Sequence, residues 1–541
     1  MIPLTFAVVR KPLTALACRN WQPQATRLTL VSSLFRREPL SRLSARVLLA
    51  LAFPLTLAAV LTSAFAVQNP HALHLVSVKN QAAKKTQAPD AVPVIAPPGS
   101  VLHEARRGDS IPSVARQYLR KTGYLTSSEL GDAIRQANNG RQGTFLHPGE
   151  QLIIPGILDA PIVEKTVAIP KDFEVRAIYL TGVMAGSDHG LRIIRRWREV
   201  GGNAVVFDIK DSDGIVNIAF DHPLATGQKH YIHDLPKFTR FLHSQNMHAI
   251  ARIAIFRDEH LVTTHPELAV KSHRTGQPWR ENGKLVWTDP SNPKVQDYDI
   301  ALAKFVAQSG VDEVQFDYVR FPAEGDQKDA SFNFQTEHPK WQRSEVIANF
   351  LKRTYAEVHP TGALFSLDVF GIMAWQRPVD LSHTGQDIVA MAKHCDVLSP
   401  MIYPSHFFGM DGIARPGDAP EHFIGESMDR FKLITKDSGV VIRPWLQAFA
   451  WRTKTYSPKY VEVQIEVAKN KGGIGFLFWN ANNDYSKPYT AMPEMRLAKD
   501  KFFRGDEIPT KTDAATPAAP AVSTPIPTVQ PVSSPVKIWR H

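Results

Sequence analysis

The sequence predicts an α/β protein: a (β/α)8 TIM barrel preceded by a small βααβ unit. Three observations carry that expectation. Between residues 171 and 505, eight short runs rich in Val, Ile, Leu and Phe alternate with amphipathic stretches. Glycines stand where the intervening helices should stop, as Gly201-Gly202, Gly310 and Gly472-Gly473. No G-x-G-x-x-G follows the first apolar run, which disfavours the competing doubly wound sheet.

Composition narrows the class further. The chain has 541 residues, 43% hydrophobic and 21% charged, which excludes wholesale disorder. Its formal net charge is +11, but residues 1–66 hold eight Lys/Arg and one Glu, so most of the excess is N-terminal. That distribution points to membrane targeting and away from nucleic-acid binding. Residues 47–67 read VLLALAFPLTLAAVLTSAFAV, uncharged, preceded by Arg46 and closing on Ala64-Phe65-Ala66. Basic, apolar and small-residue regions in that order are a secretory signal, and the stretch is also long enough to anchor in a bilayer. Residues 1–67 are therefore expected to direct export, by cleavage or as an anchor. The protein is expected in the periplasm or on the cell envelope, inner-membrane anchoring through residues 47–67 included. Residues 68–100 read as a linker, and the Pro/Ala/Thr-rich residues 506–541 as a disordered tail.

The first folded unit spans 101–156. A strand over 101–105 leads through Arg107-Gly108-Asp109-Ser110-Ile111 into helical stretches at 112–119 and 128–138. Asn138-Asn139-Gly140 stops the second, and His147-Pro148-Gly149-Glu150 turns into the closing strand Gln151-Leu152-Ile153-Ile154-Pro155. Gly-Asp-Ser-Ile, Ala115-Arg116, the Asn pair and Pro-Gly-x-x-Leu-x-Ile-Pro resemble a LysM domain, with His103 where Tyr is usual. The resemblance implies binding of N-acetylglucosamine-containing glycan. The competing reading is a spacer without a ligand groove.

The second unit, 171–505, holds the barrel. Strands are expected over 175–181, 204–210, 249–256, 311–321, 364–370, 397–403, 441–448 and 474–479. Helices are expected over 191–200, 234–244, 293–309, 343–358, 386–394, 419–436 and 459–470. Active sites of such barrels lie at the C-terminal ends of the strands, so inward polar residues there are the candidates. Side chains alternate along a strand. In strand 4, Glu313, Gln315 and Asp317 share the inner face, while Val314, Phe316 and Tyr318 suit the helix layer. Arg320 follows on the exit loop. In strand 5, Ser366 and Asp368 share a face, and strand 2 adds Asp208 and Lys210. Arg252 on strand 3 and Gln447 on strand 7 are polar in otherwise apolar runs.

Two rim carboxylates suit glycoside hydrolysis: one protonates the leaving oxygen, the other attacks the anomeric carbon or activates water. The competing reading has Asp208 or Asp368 capping a helix, accepting loop N–H bonds or pairing with Arg252. Trp375, Tyr403, Trp445 and Trp479 lie at or after strand ends, where sugar rings stack on aromatic faces. Trp279 and Trp287 lie in the long loop after strand 3.

No cofactor or metal is expected. No G-x-x-x-x-G-K-[ST] loop is present, and His260, His265 and His273 lack zinc spacing. A metal-dependent deacetylase is disfavoured on that ground. Asp208-x-x-Asp211-x-Asp213-Gly214 lacks the remaining ligands of a calcium loop. Cys18 falls in the targeting region, which leaves Cys395 alone.

Arg176-Ala177-Ile178-Tyr179-Leu180-Thr181, Asp208-Ile209-Lys210-Asp211, Asp317-Tyr318-Val319-Arg320-Phe321-Pro322, Gly385-Gln386-Asp387 and Ser399-Pro400-Met401-Ile402-Tyr403-Pro404-Ser405-His406 resemble a bacterial family of glycosyl hydrolase domains once catalogued as of unknown function. The family looks related to barrel glycosidases with an Asp closing strand 4, which implies that Asp317 is the nucleophile or essential carboxylate. The α-amylase pattern carries Arg two residues before that Asp and Glu on strand 5; here those positions hold Gln315 and Asp368.

The expectation is an exported polysaccharide hydrolase held on cell-wall glycan by its LysM-like unit. Asp317 is expected as nucleophile or base and Asp368 as acid. Asp208, Lys210, Arg252, Arg320, Tyr403, Trp445, Gln447 and Trp479 are expected to hold the sugar. The alternative is a non-catalytic envelope glycan-binding scaffold.

Overall fold

The computed structural model describes residues 95–505. The expected signal or anchor, most of the expected linker and the expected tail lie outside them. Among the described residues, no helix is long and apolar enough to cross a membrane.

The barrel strands are β1 (Val175–Leu180), β2 (Ala204–Lys210), β3 (His248–Ala254), β4 (Glu313–Asp317), β5 (Leu364–Phe370), β6 (Val397–Met401), β7 in two segments (Val441–Ile442 and Trp445–Gln447) and β8 (Gly475–Trp479). Every neighbouring pair is parallel, and β8 pairs with β1 through Phe478 and Ile178, which closes the barrel. Helices pack outside: α1 (Asp188–Glu199), α2 (Leu235–Ser244), α3 (Pro293–Gln308), α4 (Arg343–Val358), α5 (Ile388–Met391), α6 (Pro420–Ile434), α7 (Pro458–Asn470) and α8 (Ser486–Leu497).

Local chemistry sets these boundaries. Ser187, Asp234, Asn292 and Ser457 each accept a first-turn N–H, at α1, α2, α3 and α7. Gly201 and Gly310 follow α1 and α3 at φ 106° and 91°, a turn open to glycine without strain. Strand 4 is shorter than expected: Tyr318 adopts φ 55°, and the ladder stops at Asp317. Pro444, which has no N–H, separates the two segments of β7. Helix α8 was not anticipated, because Pro488 and Pro493 interrupt its pattern.

Two apolar layers result. Ile178, Val205, Phe207, Val314, Phe316, Phe365 and Leu367 point outward against the helices. Ala177, Tyr179, Val206, Ile250, Met401, Trp445 and Leu477 fill the barrel interior. At its lower end Glu313 accepts from His248 (3.0 Å) and Arg443 (2.8 Å). Burial alone would raise Glu313, but Arg443 and His248 hold it down to about 2.

Before the barrel, strand Ser100–Glu104 pairs antiparallel with Gln151–Pro155 around helices Ile111–Tyr118 and Ser127–Ala137. Its own core includes Ile111, Val114, Leu130, Ile134, Leu152 and Ile154. Asn138 pins the closing strand through both Ile153 N and Ile153 O, at 2.9 Å each. The unit touches the barrel directly. Lys237 Nζ donates to Leu119 O (3.0 Å) and Tyr124 O (3.2 Å), and Thr126 Oγ1 donates to Asp188 (2.5 Å).

Candidate active site

One guanidinium organises the upper end of the barrel. Arg252 on β3 points inward, with Nη1 2.6 Å from Asp208 and 3.2 Å from Asp211. Its Nη2 lies 2.7 Å from Asp317, and its Nε lies 3.8 Å from Asp368. Four carboxyl groups thus share one cation, three of them buried and Asp211 partly exposed. Like charges so close cannot all ionise cheaply. Burial pushes Asp208 up to about 7; Arg252 pulls it down and Asp211 pushes it up. Burial and then the charge of Asp317 hold Asp368 well above the carboxylate range, against the pull of Arg252 and of Trp445.

The pairing rules of the strands explain the cluster. In register, Asp208 faces Arg252 and Arg252 faces Gln315, so Asp317 rises one pleat above on the same inner face. Asp368 sits on β5, the next strand round, beside Ser399. Asp317 Oδ1 also accepts from the N–H of Tyr318 (2.6 Å). Tyr318 itself adopts a left-handed backbone at φ 55°, which costs a non-glycine residue about 1–2 kcal/mol. Such strain collects at functional sites.

Aromatic rings wall the cluster. Tyr179 donates to Asp208 (2.5 Å) and stacks on Trp479 at 4.1 Å. The Arg252 guanidinium lies 5.2 Å from the Trp479 ring. Trp445 Nε1 donates to Asp368 Oδ1 (2.6 Å). Tyr403 joins Tyr179 and Trp445 in the barrel interior, where burial and the charges of Asp368 and Asp317 raise its pKa. Arg320 is buried at the edge, over the rings of Phe370 (4.5 Å) and Trp287 (4.7 Å).

The structure brings Asp208, Arg252, Asp317, Asp368, Tyr403, Trp445 and Trp479 together, with Arg320 beside them. Three expectations need correction. Lys210 does not line the cluster. The register shifts between Asp208 and Lys210, and the ammonium is buried outside the barrel mouth between Asp258 (2.9 Å) and Asp299 (2.8 Å). Gln447 is a strut: its Oε1 accepts from Ser405 N (3.2 Å) and its Nε2 donates to Phe449 O (2.9 Å) and Thr453 Oγ1 (2.8 Å). Arg252 is buried and engaged by carboxylates, so its task in the structure is to position them. Tyr179 and Asp211 were passed over as site residues. The alternation that placed Asp317 also puts Tyr179 inside, with Val175 and Ala177. Asp211 and Asp213 are occupied by Arg252 and by the N–H of Ile215 (2.9 Å).

Residues 177–485 match a family described as Putative glycosyl hydrolase domain. A hypothetical protein from Ruminiclostridium thermocellum ATCC 27405 is 36% identical over 36% of this chain and 97% of its own, with a TM-score of 0.32. The glycoside hydrolase domain of PgaB (BpsB) from Bordetella bronchiseptica is 14% identical over 62% and 99%, TM-score 0.47. The catalytic domain of β-amylase from Paenibacillus polymyxa is 10% identical over 61% and 99%, TM-score 0.41. No curated protein matches the chain.

Proposed function

The chain belongs to that family of glycosyl hydrolase domains, and on this premise we propose that Asp317 and Asp368 cleave a glycosidic bond of a cell-envelope polysaccharide. One observation carries the assignment of roles. The two carboxyl groups stand on adjacent strands and share the guanidinium of Arg252, yet differ in exposure. The Asp317 side chain is 7% exposed against 1% for Asp368, so of the two Asp317 is the more open to the barrel mouth. Burial and the charge of Asp317 raise Asp368, which suits it to the role of proton donor.

Asp368 passes its proton to the glycosidic oxygen as the bond to the anomeric carbon breaks. Asp317 meets the positive charge developing at that carbon, by direct attack or by activating water. Arg252 fixes the separation of the two groups and keeps Asp317 from rotating. Trp479, partly exposed and stacked on Tyr179, offers a face to the sugar ring.

The choice of polysaccharide rests on the sequence. The LysM-like marks of residues 101–156 and the export signal of residues 1–67 support a substrate in the envelope, with the small unit keeping the barrel on cell-wall glycan. The test is release of new reducing ends from peptide-free glycan strands and from envelope exopolysaccharide by the full chain. The reading predicts release by the parent and none by a folded Asp317→Asn, Asp368→Asn double variant. Equal release by both refutes the site. Binding without release by the parent supports the scaffold reading.

A further inference from the structure

An aromatic path leaves the carboxylates and ends at solvent. Tyr403, in the barrel interior with Tyr179 and Trp445, packs at 5.3 Å on His406 and at 5.6 Å on Phe449. His406 continues to Trp451 at 5.0 Å. Beyond it the guanidinium of Arg452 lies over Trp451 (4.3 Å) and over Phe408 (5.2 Å). Trp451 is 41% exposed and Phe408 57%, and Arg452 joins the two into one exposed aromatic patch. All six residues stand on the loops after β6 and β7, on the face of the barrel that carries the carboxylates.

Arg452 is exposed and makes no ion pair among the described residues. A guanidinium over two rings and without a carboxylate partner leaves its N–H groups to a ligand, in the fork geometry that suits a carboxylate. The loops are braced in advance. Gln447 ties Ser405 N and Phe449 O together, and Asp418 accepts from Lys454 N (2.7 Å) and Thr455 N (2.9 Å). Ordering that would otherwise accompany binding has already occurred on folding.

We propose that Phe408, Trp451 and Arg452 form a rim subsite for a carboxylate-bearing sugar of the chain whose scissile bond lies over Asp317 and Asp368. The pyranose ring rests its C–H face on an exposed aromatic ring, and its carboxylate meets Arg452. The subsite makes the barrel a reader of acidic glycan several units long. The inference rests on the glycosidase reading for the position of the scissile bond, and its test reads binding alone.

The full chain carrying Asp317→Asn, so that ligand stays intact, is labelled with 5-fluorotryptophan. The Trp451 resonance is assigned by its loss in Trp451→Phe. Two probes share a backbone: peptide-free glycan strands, whose muramic acid units carry lactyl carboxylates, and N-acetylchitooligosaccharides of matched length, which carry none. The Trp451 line is expected to titrate at about tenfold lower concentration with the strands, as a charge-assisted contact gives. Arg452→Gln is expected to bring the two curves together. Coincident curves before that substitution, a Trp451 line unmoved by either probe, or a preference that survives Arg452→Gln each overturn the proposal. Titration at Trp451 by a chain whose parent releases no reducing ends would sink the glycosidase reading and leave the subsite standing.

Discussion

The indole N–H of Trp445 lies 2.6 Å from Oδ1 of Asp368. It is a neutral donor to a carboxyl group whose pKa burial and the charge of Asp317 raise. A donor to that oxygen favours the ionised form, so Trp445 moderates the rise and leaves Oδ2 to carry the proton. Trp445→Phe should raise Asp368 further. A general acid works while protonated, so the alkaline limb of kcat/KM should move to higher pH. A pH–rate profile checks this, and a limb moved to lower pH contradicts it.

Arg252 should be hard to replace by another cation. It serves Asp208, Asp211 and Asp317 at once, through two nitrogens of one planar group. A lysine ammonium is a point charge on a flexible stem and cannot hold three carboxylates in fixed directions. Arg252→Lys should fold and lose about 10²-fold or more in kcat, the cost of misplacing reacting groups. Arg252→Met should lose about 3–5 kcal/mol of stability, because buried carboxylates stay behind unpaired. Denaturant titration separates the two outcomes.

Asp208 predicts a pH dependence of stability. Its folded pKa is raised to about 7, above the unfolded value, so the folded state binds more protons between roughly pH 4 and 7. Its contribution is therefore fully present in acid and is lost as pH rises to about 7. Asp208→Asn keeps acceptor and donor atoms but does not titrate, so melting temperature should fall less steeply from pH 4 to 7 in this variant. Equal slopes would contradict the assignment.

Lys210 has a structural task. Its ammonium sits between Asp258 and Asp299, 5.0 Å from the ring of Tyr298. Lys210→Met leaves two buried carboxyl groups without a cation and should cost about 3–5 kcal/mol. Soluble variant that melts like the parent but loses sugar binding would restore Lys210 to the site.

The barrel was legible because its strands are short apolar runs bounded by glycine and by helix caps, and alternation alone put Asp317 and Asp368 on the inner face. Alternation failed at Lys210, where the register shift after Asp208 breaks the period that the argument assumes. It failed again at Tyr318, whose left-handed backbone ends β4 four residues before the expected limit. The role of Arg252 depends on partners 41 to 65 residues away in sequence, and that of Gln447 on Ser405, 42 residues away, which no local pattern encodes. The exposed pair Phe408 and Trp451 lies on loops, where sequence periodicity carries no signal.

The central claim is that Asp368 gives the proton and Asp317 meets the anomeric carbon. It is tested most directly by the leaving-group dependence of Asp317→Asn and Asp368→Asn. Each is assayed on the polysaccharide that the parent cleaves and on a dinitrophenyl glycoside of the released sugar, whose leaving group needs no proton. Asp368→Asn should lose about 10²–10⁴-fold on the polysaccharide, the usual worth of a general acid, and recover most of that on the activated glycoside. Asp317→Asn should be impaired on both. Recovery by Asp317→Asn, or equal impairment of Asp368→Asn on both substrates, would contradict the account.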